Sequence, residues 1–190
     1  MLIFEQTKEY SYRDAAAYIE NDKIYLFFTL VENTEDNQLF YVAQSESCDF
    51  INWTKPIILT EKDNMKNYSS PGNVFKYDDY YYLTLQSYPR EKGQIYGNEN
   101  SRIFTMKSKD LKHWDNPVLL KVKGDIPENE MGRMIDPYIL EDAGKFICFF
   151  KQNGVSFSTS TDLINWQFQG CTECGENVYK ISYRCEWNEF

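Results

Sequence analysis

Positive charge is scarce in this sequence, which disfavours negatively charged binding partners. Of the 190 residues, 20 are Lys or Arg and 29 are Asp or Glu, so the formal net charge is −9 at pH 7. The basic residues are scattered and form no stripe along the chain. Because nucleic-acid binding depends on clustered cations that neutralise phosphates, we expect no nucleic-acid partner. An acidic polymer is an unfavourable substrate for the same reason, whereas neutral sugars are compatible with this charge.

Long apolar runs, a secretion signal and paired metal-binding motifs are also missing. No stretch has the length of a membrane helix, and residues 1–6 lack the basic and apolar regions of a signal peptide. The five cysteines are an odd number, which favours reduced thiols. Cys171, Cys174 and Cys185 could supply three zinc ligands, but no second pair follows and the single histidine, His113, is distant. The sequence therefore predicts a cytoplasmic protein without a membrane partner or a cofactor; an axial calcium ion is left open.

Aromatic residues, in contrast, are abundant. They make up 17% of the chain, with 15 Tyr, 13 Phe and 4 Trp. Tyr and Phe favour the half-buried surface of a β-sheet, and patterns with the period of a helix are nearly absent. The composition predicts an all-β protein. Flat rings also suit carbohydrate binding, although packing in and around the sheets explains most of them.

Three segments of the chain resemble one another, at residues 17–28, 74–85 and 139–150. Each has a short apolar strand, a polar turn and a longer aromatic strand, which is the pattern of a β-hairpin. A further strand-like run follows each hairpin, and an Asp-x-x-x-Trp motif follows that run. These motifs are Asp49–Trp53, Asp110–Trp114 and Asp162–Trp166. We interpret them as structural corners, in which the Asp caps a turn and the Trp packs against the neighbouring repeat.

Repeats of about 60 residues, each forming a small antiparallel sheet, are typical of a β-propeller. We predict blades at residues 14–68, 69–130 and 131–170, with the start of a fourth at 171–190. A ring of five such repeats needs roughly 300 residues, so the chain reads as an open, truncated propeller. Unpaired edges invite pairing with another chain, so we expect self-association to cover them.

Acidic residues recur where the repeats begin. Counting back from each turn makes Asp14 equivalent to Pro71 and to Asp136, and Glu176 stands at the start of the fourth repeat. Equivalent positions of successive blades face one central funnel, so Asp14, Asp136 and Glu176 should converge. Carboxylates placed together raise one another's pKa. Glycoside hydrolysis uses such an arrangement, with one carboxyl group as proton donor and another as base or nucleophile.

These features together resemble glycoside hydrolase family 43 and its clan, which includes family 32. The resemblance covers nearly the whole chain and rests on the blade entrances and the Asp-x-x-x-Trp corners. The entrances are Arg13-Asp14-Ala15-Ala16-Ala17, Ser70-Pro71-Gly72-Asn73, Ile135-Asp136-Pro137 and Gly175-Glu176-Asn177. The resemblance implies a five-bladed β-propeller, with Asp14 as general base, Asp136 as the acid that tunes and orients the donor, and Glu176 as general acid.

It further implies a neutral glycoside of the arabinose or xylose type as substrate. Inversion of the anomeric centre would require carboxyl groups about 6.5–9.5 Å apart, which leaves room for a water molecule. Five residues near strand ends are candidate substrate ligands: Arg13, Asn73, Arg133, Tyr138 and Gln152. Two alternatives stay open. One is a catalytically inactive propeller that binds carbohydrate or acts as a scaffold, and the other is a retaining relative that cleaves sucrose or fructan.

Overall fold

The computed structural model describes residues 4–35 and 37–171, and this part of the chain is all-β apart from one 3-10 turn at Glu128–Glu130. Three antiparallel sheets follow one another along the chain. Blade 1 contains β1 (Tyr10–Glu20), β2 (Lys23–Asn33), β3 (Gln38–Ser47) and β4 (Ile57–Ile58), paired in that order. Blade 2 contains β5 (Tyr68–Ser69), β6 (Val74–Tyr77), β7 (Tyr80–Ser87), β8 (Ile103–Ser108) and β9 (Val118–Leu119); β5 and β6 both pair with β7. Blade 3 contains β10 (Ile135–Asp142), β11 (Lys145–Lys151), β12 (Val155–Ser160) and β13 (Gln167–Cys171).

The turns of two inner hairpins have left-handed backbone, mostly at Asn, Asp and Gly, which tolerate it best. In blade 1, Asn21 and Asp22 have φ values of 51° and 59°. In blade 3, Ala143 and Gly144 have φ values of 49° and 75°. Two consecutive residues with positive φ match the right-handed twist of the strands that they join. The sequence therefore closes these hairpins locally, and it sets the register of the strands on either side.

Apolar side chains from alternate strand positions fill the spaces between blades. Phe27 of β2 and Val42 of β3 face Leu83 and Phe104 of blade 2 in one buried cluster. A second cluster joins Ile103 and Leu120 of blade 2 to blade 3. Its members from blade 3 are Ile139, Phe146, Cys148, Phe150 and Trp166. Burial of apolar surface, worth about 25 cal/mol per Å², thus holds neighbouring blades face to face.

The Asp-x-x-x-Trp motifs form the predicted corners. In each, the Asp carboxylate accepts backbone N–H groups two and three residues ahead, as Asp162 does from Ile164 (2.9 Å) and Asn165 (2.7 Å). These bonds hold the pKa of the three Asp carboxyl groups well below its ordinary value. Trp114 packs edge-on against Phe27 of the preceding blade, with ring centroids 5.6 Å apart. The corners at Trp114 and Trp166 therefore join turn formation to packing between blades.

The fold is the predicted all-β propeller, with three blades in the described residues. Cys171, placed at the start of the fourth repeat by the sequence, ends β13 of blade 3. The remainder of the predicted fourth blade, residues 172–190, lies outside the described residues. Within the described ranges, no helix has the length and apolar character needed to cross a membrane.

Candidate active site

Each described blade has a residue in left-handed backbone conformation near its start: within β1, directly after β5, and within β10. Asp14, Ser70 and Asp136 have φ values of 55°, 45° and 55°. In blades 1 and 3 this residue lies in a β-bulge, where the register of β1 and β10 shifts against its partner strand. Bulges redirect side chains and are frequent beside active sites. Asp is among the residues that tolerate this conformation best, so two of the three entrances can present a carboxylate there.

Strand register identifies Ser70 as the equivalent of the two aspartates. The residues before the three left-handed positions pair as Arg13 with Thr29, Ser69 with Gln86 and Ile135 with Lys151. The predicted equivalence of Pro71 with Asp14 and Asp136 is therefore wrong by one residue. In blade 2 the strand pairing is interrupted over a longer stretch. Val74 is five residues after Ser69, whereas their pairing partners, Leu83 and Gln86, are only three residues apart. The predicted equivalence was obtained by counting residues back from the hairpin turn, and such a count does not detect the extra residues in blade 2.

Polar groups from blades 1 and 2 surround one oxygen of Asp14. Its Oδ2 accepts hydrogen bonds from Ser70 Oγ at 3.0 Å and from Thr29 Oγ1 at 3.3 Å, and Arg13 Nε lies 3.3 Å away. Among the described residues, these contacts all fall on Oδ2. Such donors fix the orientation of the carboxylate and leave Oδ1 as the oxygen that can accept a proton.

The blade entrances are linked by one repeated hydrogen bond. Thr29 Oγ1 of blade 1 accepts the backbone N–H of Ser70 at 2.7 Å, and Gln86 Oε1 of blade 2 accepts the backbone N–H of Asp136 at 2.7 Å. Thr29 and Gln86 occupy equivalent strand positions, directly opposite Arg13 and Ser69. Blades 1 and 2 thereby each hold the entrance of the blade that follows.

Asp14 and Asp136 are close enough to interact electrostatically. The pKa of Asp136 is raised above its ordinary value, mainly because its carboxyl group loses contact with solvent. The negative charge of Asp14 raises this pKa further. Lys151 and Arg133 act in the opposite direction. Asp136 is still exposed to solvent. The structure thus brings two of the three predicted catalytic residues into one electrostatic environment.

Two predicted substrate ligands lie near these aspartates, and a third supports one of the two. Arg13 contacts Asp14 directly. Arg133 lies within electrostatic reach of Asp136, and its Nε donates to Gly97 O at 2.9 Å. Gln152 instead uses its amide to donate to Met131 O (2.9 Å) and Arg133 O (3.1 Å). Gln152 therefore positions the loop that carries Arg133.

The other two predicted ligands have different surroundings. Asn73 donates to Ile139 O at 2.7 Å and accepts the N–H of Ile139 at 3.0 Å. These bonds occupy both ends of its amide and join blade 2 to blade 3, which argues against a role in binding substrate. Tyr138 follows the bulge of β10 and is 49% exposed. Glu176, the predicted general acid, lies outside the described residues.

Sequence reasoning missed the residues that position the aspartates, namely Thr29, Ser70 and Gln86. One signal was present: each of Thr29 and Gln86 lies on the second strand of a hairpin, opposite a blade entrance. Within residues 4–35 and 37–171, no group of three acidic, His or Cys side chains is arranged to hold a metal ion.

Comparison with known proteins supports the fold. No protein-family model matches the sequence, and no curated protein matches it. The chain is similar to the solved structure of a family 117 glycoside hydrolase from Zobellia galactanivorans, with a TM-score of 0.69, 16% identity, and coverage of 89% of this chain and 59% of that one. It is also similar to a glycosyl hydrolase from Bacteroides ovatus (TM-score 0.64, 17% identity, coverage 84% and 49%).

A third similar structure has a different activity. It is an N-acetylgalactosamine deacetylase from F. plautii, with a TM-score of 0.65, 15% identity, and coverage of 87% of this chain and 54% of that one. At these identities the similarity establishes the fold, and one fold carries more than one chemistry. The chain spans about half the length of the structures that it matches. The resemblance to family 43 in particular stays a prediction.

Proposed function

We propose that this protein is a glycoside hydrolase, with a neutral glycoside of the arabinose or xylose type as its substrate. One observation carries the proposal: Asp14 and Asp136 occupy the same left-handed bulge position of blades 1 and 3, and they lie within electrostatic reach of each other. Two carboxylates within electrostatic reach disfavour each other's ionisation, so their proximity is costly unless the site uses it. The similarity to solved glycoside hydrolases supports this class of reaction.

In this mechanism Asp14 acts as the general base. Its Oδ2 is held by Ser70, Thr29 and Arg13, so that Oδ1 can take a proton from the attacking water. Asp136 tunes and orients the proton donor through its charge. Glu176 supplies the proton to the leaving oxygen, as the resemblance implies. Inversion then follows if water attacks the anomeric carbon on the face opposite the leaving group.

The test is hydrolysis of a panel of aryl-glycosides, with α-L-arabinofuranosides and β-D-xylosides included. We expect Asp14→Asn to lose nearly all activity on every substrate. Glu176→Gln should lose activity strongly on a poor leaving group and much less on an activated one, because a good leaving group needs no proton. Full activity of Glu176→Gln on the poor leaving group would show that the acid is assigned wrongly. The stereochemistry of the first product, read by NMR, separates inversion from retention.

A carbohydrate-binding or scaffold protein is the second candidate, because one fold carries more than one chemistry and the similar structures are only 15–17% identical to this chain. This candidate predicts saturable binding of a sugar from the same panel without turnover. Binding is measured by calorimetry, and light scattering on the same sample reports whether copies of the chain associate.

A further inference from the structure

The guanidinium group of Arg102 is buried and donates to the main chain of two separate connections. Arg102 directly precedes β8 and is 2% exposed. Its Nη1 donates to Glu99 O at 2.6 Å and to Gly132 O at 2.9 Å. Its Nε and Nη2 both donate to Glu128 O, at 3.1 and 2.6 Å. Hydrogen bonds from a charged donor are stronger than neutral ones, so Arg102 firmly ties the end of the β7–β8 connection to the β9–β10 connection.

Two more long side chains hold the same part of the β9–β10 connection, residues 128–133. Lys123 Nζ donates to Met131 O at 2.9 Å. Gln152 Nε2 donates to Met131 O at 2.9 Å and to Arg133 O at 3.1 Å. A Cβ atom at Gly132 would lie 2.8 Å from this Nε2, so the backbone passes close to the amide. Residues 128–133 lie outside the strands, and their position therefore depends on these side-chain donors.

Arg133 is the charged side chain that this network places. Its backbone oxygen accepts from Gln152, and its Nε donates to Gly97 O at 2.9 Å. Gly97 belongs to the β7–β8 connection, which Arg102 binds at Glu99. Both anchors of Arg133 are thus on segments that Arg102 or Gln152 holds. A side chain keeps a precise position only when the residues around it are themselves fixed.

Asp136 depends on nearby cations to stay ionised. Loss of solvent and the charge of Asp14 both favour its neutral form, whereas the charges of Lys151 and Arg133 favour the carboxylate. The two cations are held differently. Lys151 lies on β11, where strand pairing with Ile135 fixes its backbone. Arg133 lies in a connection, so the strength of its effect on Asp136 depends on the network around Arg133.

We propose that Arg102 is a positioning residue, which holds Arg133 where the charge of its guanidinium group acts on Asp136. Arg102 works through Arg133 and touches neither the substrate nor the reacting atoms. The proposed function assigns Asp136 to tune and orient the proton donor through its negative charge, and the catalytic meaning of Arg102 rests on that function. The positioning itself rests only on the contacts of Arg102 and Arg133. Without Arg102, residues 128–133 lose two of their anchors and Arg133 moves with them.

The test is the pKa of Asp136, measured by NMR titration of its carboxyl carbon, with Asp136→Asn to assign the signal. Arg133→Met should raise this pKa, because it removes a cation that favours the carboxylate. Arg102→Met should raise it as well. In the double variant, Arg102→Met should add nothing to the effect of Arg133→Met, because Arg102 acts only through Arg133. Arg102→Lys keeps the charge but loses the planar fork, and should give a pKa between those of the wild type and Arg102→Met.

The matched control is Lys112→Met, which removes an exposed cation from the Asp110 corner and should leave the pKa of Asp136 unchanged. A lower melting temperature of Arg102→Met with an unchanged Asp136 pKa would mean a purely structural role and overturn the proposal. So would an effect of Arg102→Met that persists without Arg133. If Arg102→Met does not fold, Arg102→Lys decides by the same criterion. None of these measurements needs turnover, so their outcome is separate from that of the glycoside panel.

Discussion

Ser70 Oγ, at the entrance of blade 2, donates a hydrogen bond of 3.0 Å to Asp14 Oδ2 at the entrance of blade 1. Both residues have left-handed backbone conformation at equivalent positions of their blades. The proposed base is therefore oriented by the neighbouring repeat as well as by its own strand. Any change that separates blades 1 and 2 should therefore affect the geometry of Asp14.

Thr29 is the simplest residue with which to test this orientation. Thr29→Val keeps the shape of the buried side chain but removes the hydroxyl that donates to Asp14 and accepts the N–H of Ser70. We expect kcat for glycoside hydrolysis to fall about tenfold with little change in KM, because a hydrogen bond to a charged group is worth about 1.5–3 kcal/mol. Steady-state kinetics measure this, and Thr29→Ser should restore most of the rate. A rise in KM at constant kcat would instead show that Thr29 supports binding.

The ionised carboxylate of Asp136 should lower the free energy of unfolding at neutral pH. Its pKa is raised in the folded state, so ionisation favours unfolding as the pH rises from about the ordinary value of 3.8 through the folded-state pKa. Asp136→Asn should therefore raise the free energy of unfolding at pH 7, by up to about 1 kcal/mol for a side chain that still reaches solvent. The advantage should vanish below pH 3.8, where the carboxyl group is protonated in both states. Urea denaturation at several pH values measures it.

The control for this prediction is Asp142→Asn, an exposed position at the far end of the same strand. A surface change of this kind should alter stability by less than about 0.5 kcal/mol at any pH. If Asp136→Asn is no more stable than the wild type at pH 7, Asp136 is not held under electrostatic strain. Its assignment as a residue that tunes the proton donor would then lose its physical basis.

Gly72 of blade 2 lies directly against the backbone of Pro137 in blade 3. A Cβ atom at this position would lie only 1.6 Å from the backbone oxygen of Pro137, so the blades must move apart to admit alanine. Gly72→Ala should lower the free energy of unfolding by about 3 kcal/mol or more. Gly144→Ala provides the comparison, since Gly144 has open space and a φ of 75° and should cost only about 1–2 kcal/mol. Thermal unfolding of both variants decides the matter, and similar losses would contradict the close contact.

The Asp-x-x-x-Trp corners predict a dependence of stability on acid. The N–H groups of Lys112 and His113 lie 2.9 and 2.8 Å from Asp110 Oδ1 and lower its pKa in the folded state. The stabilisation is present above the ordinary value of 3.8 and is lost as the pH falls through the lowered folded-state pKa. Asp110→Ala should therefore melt below the wild type at pH 7, and the difference should shrink under acid. Lys112→Ala, which keeps the same backbone bonds, should melt as the wild type does at both pH values.

The sequence predicted those features that are formed by neighbours along the chain. Alternating aromatic strands and polar turns identified the three hairpins, because a period of two and a left-handed turn are local properties. The corners followed for the same reason. The position of Ser70 was missed because blade 2 has extra length between Ser69 and Val74, and nothing in its composition shows where a strand pairing is interrupted.

By itself, then, the sequence determined the blades and placed Asp14 and Asp136 at equivalent entrances. Only the tertiary structure decided what surrounds them: Ser70 and Thr29 on Asp14 Oδ2, and Gln86 on the Asp136 backbone. Ser70 and Asp14 are 56 positions apart, and Asp136 and Gln86 are 50 apart. Such contacts depend on how one sheet packs on the next, which is set by burial of apolar side chains across the whole interface. A pattern within one repeat does not contain that information.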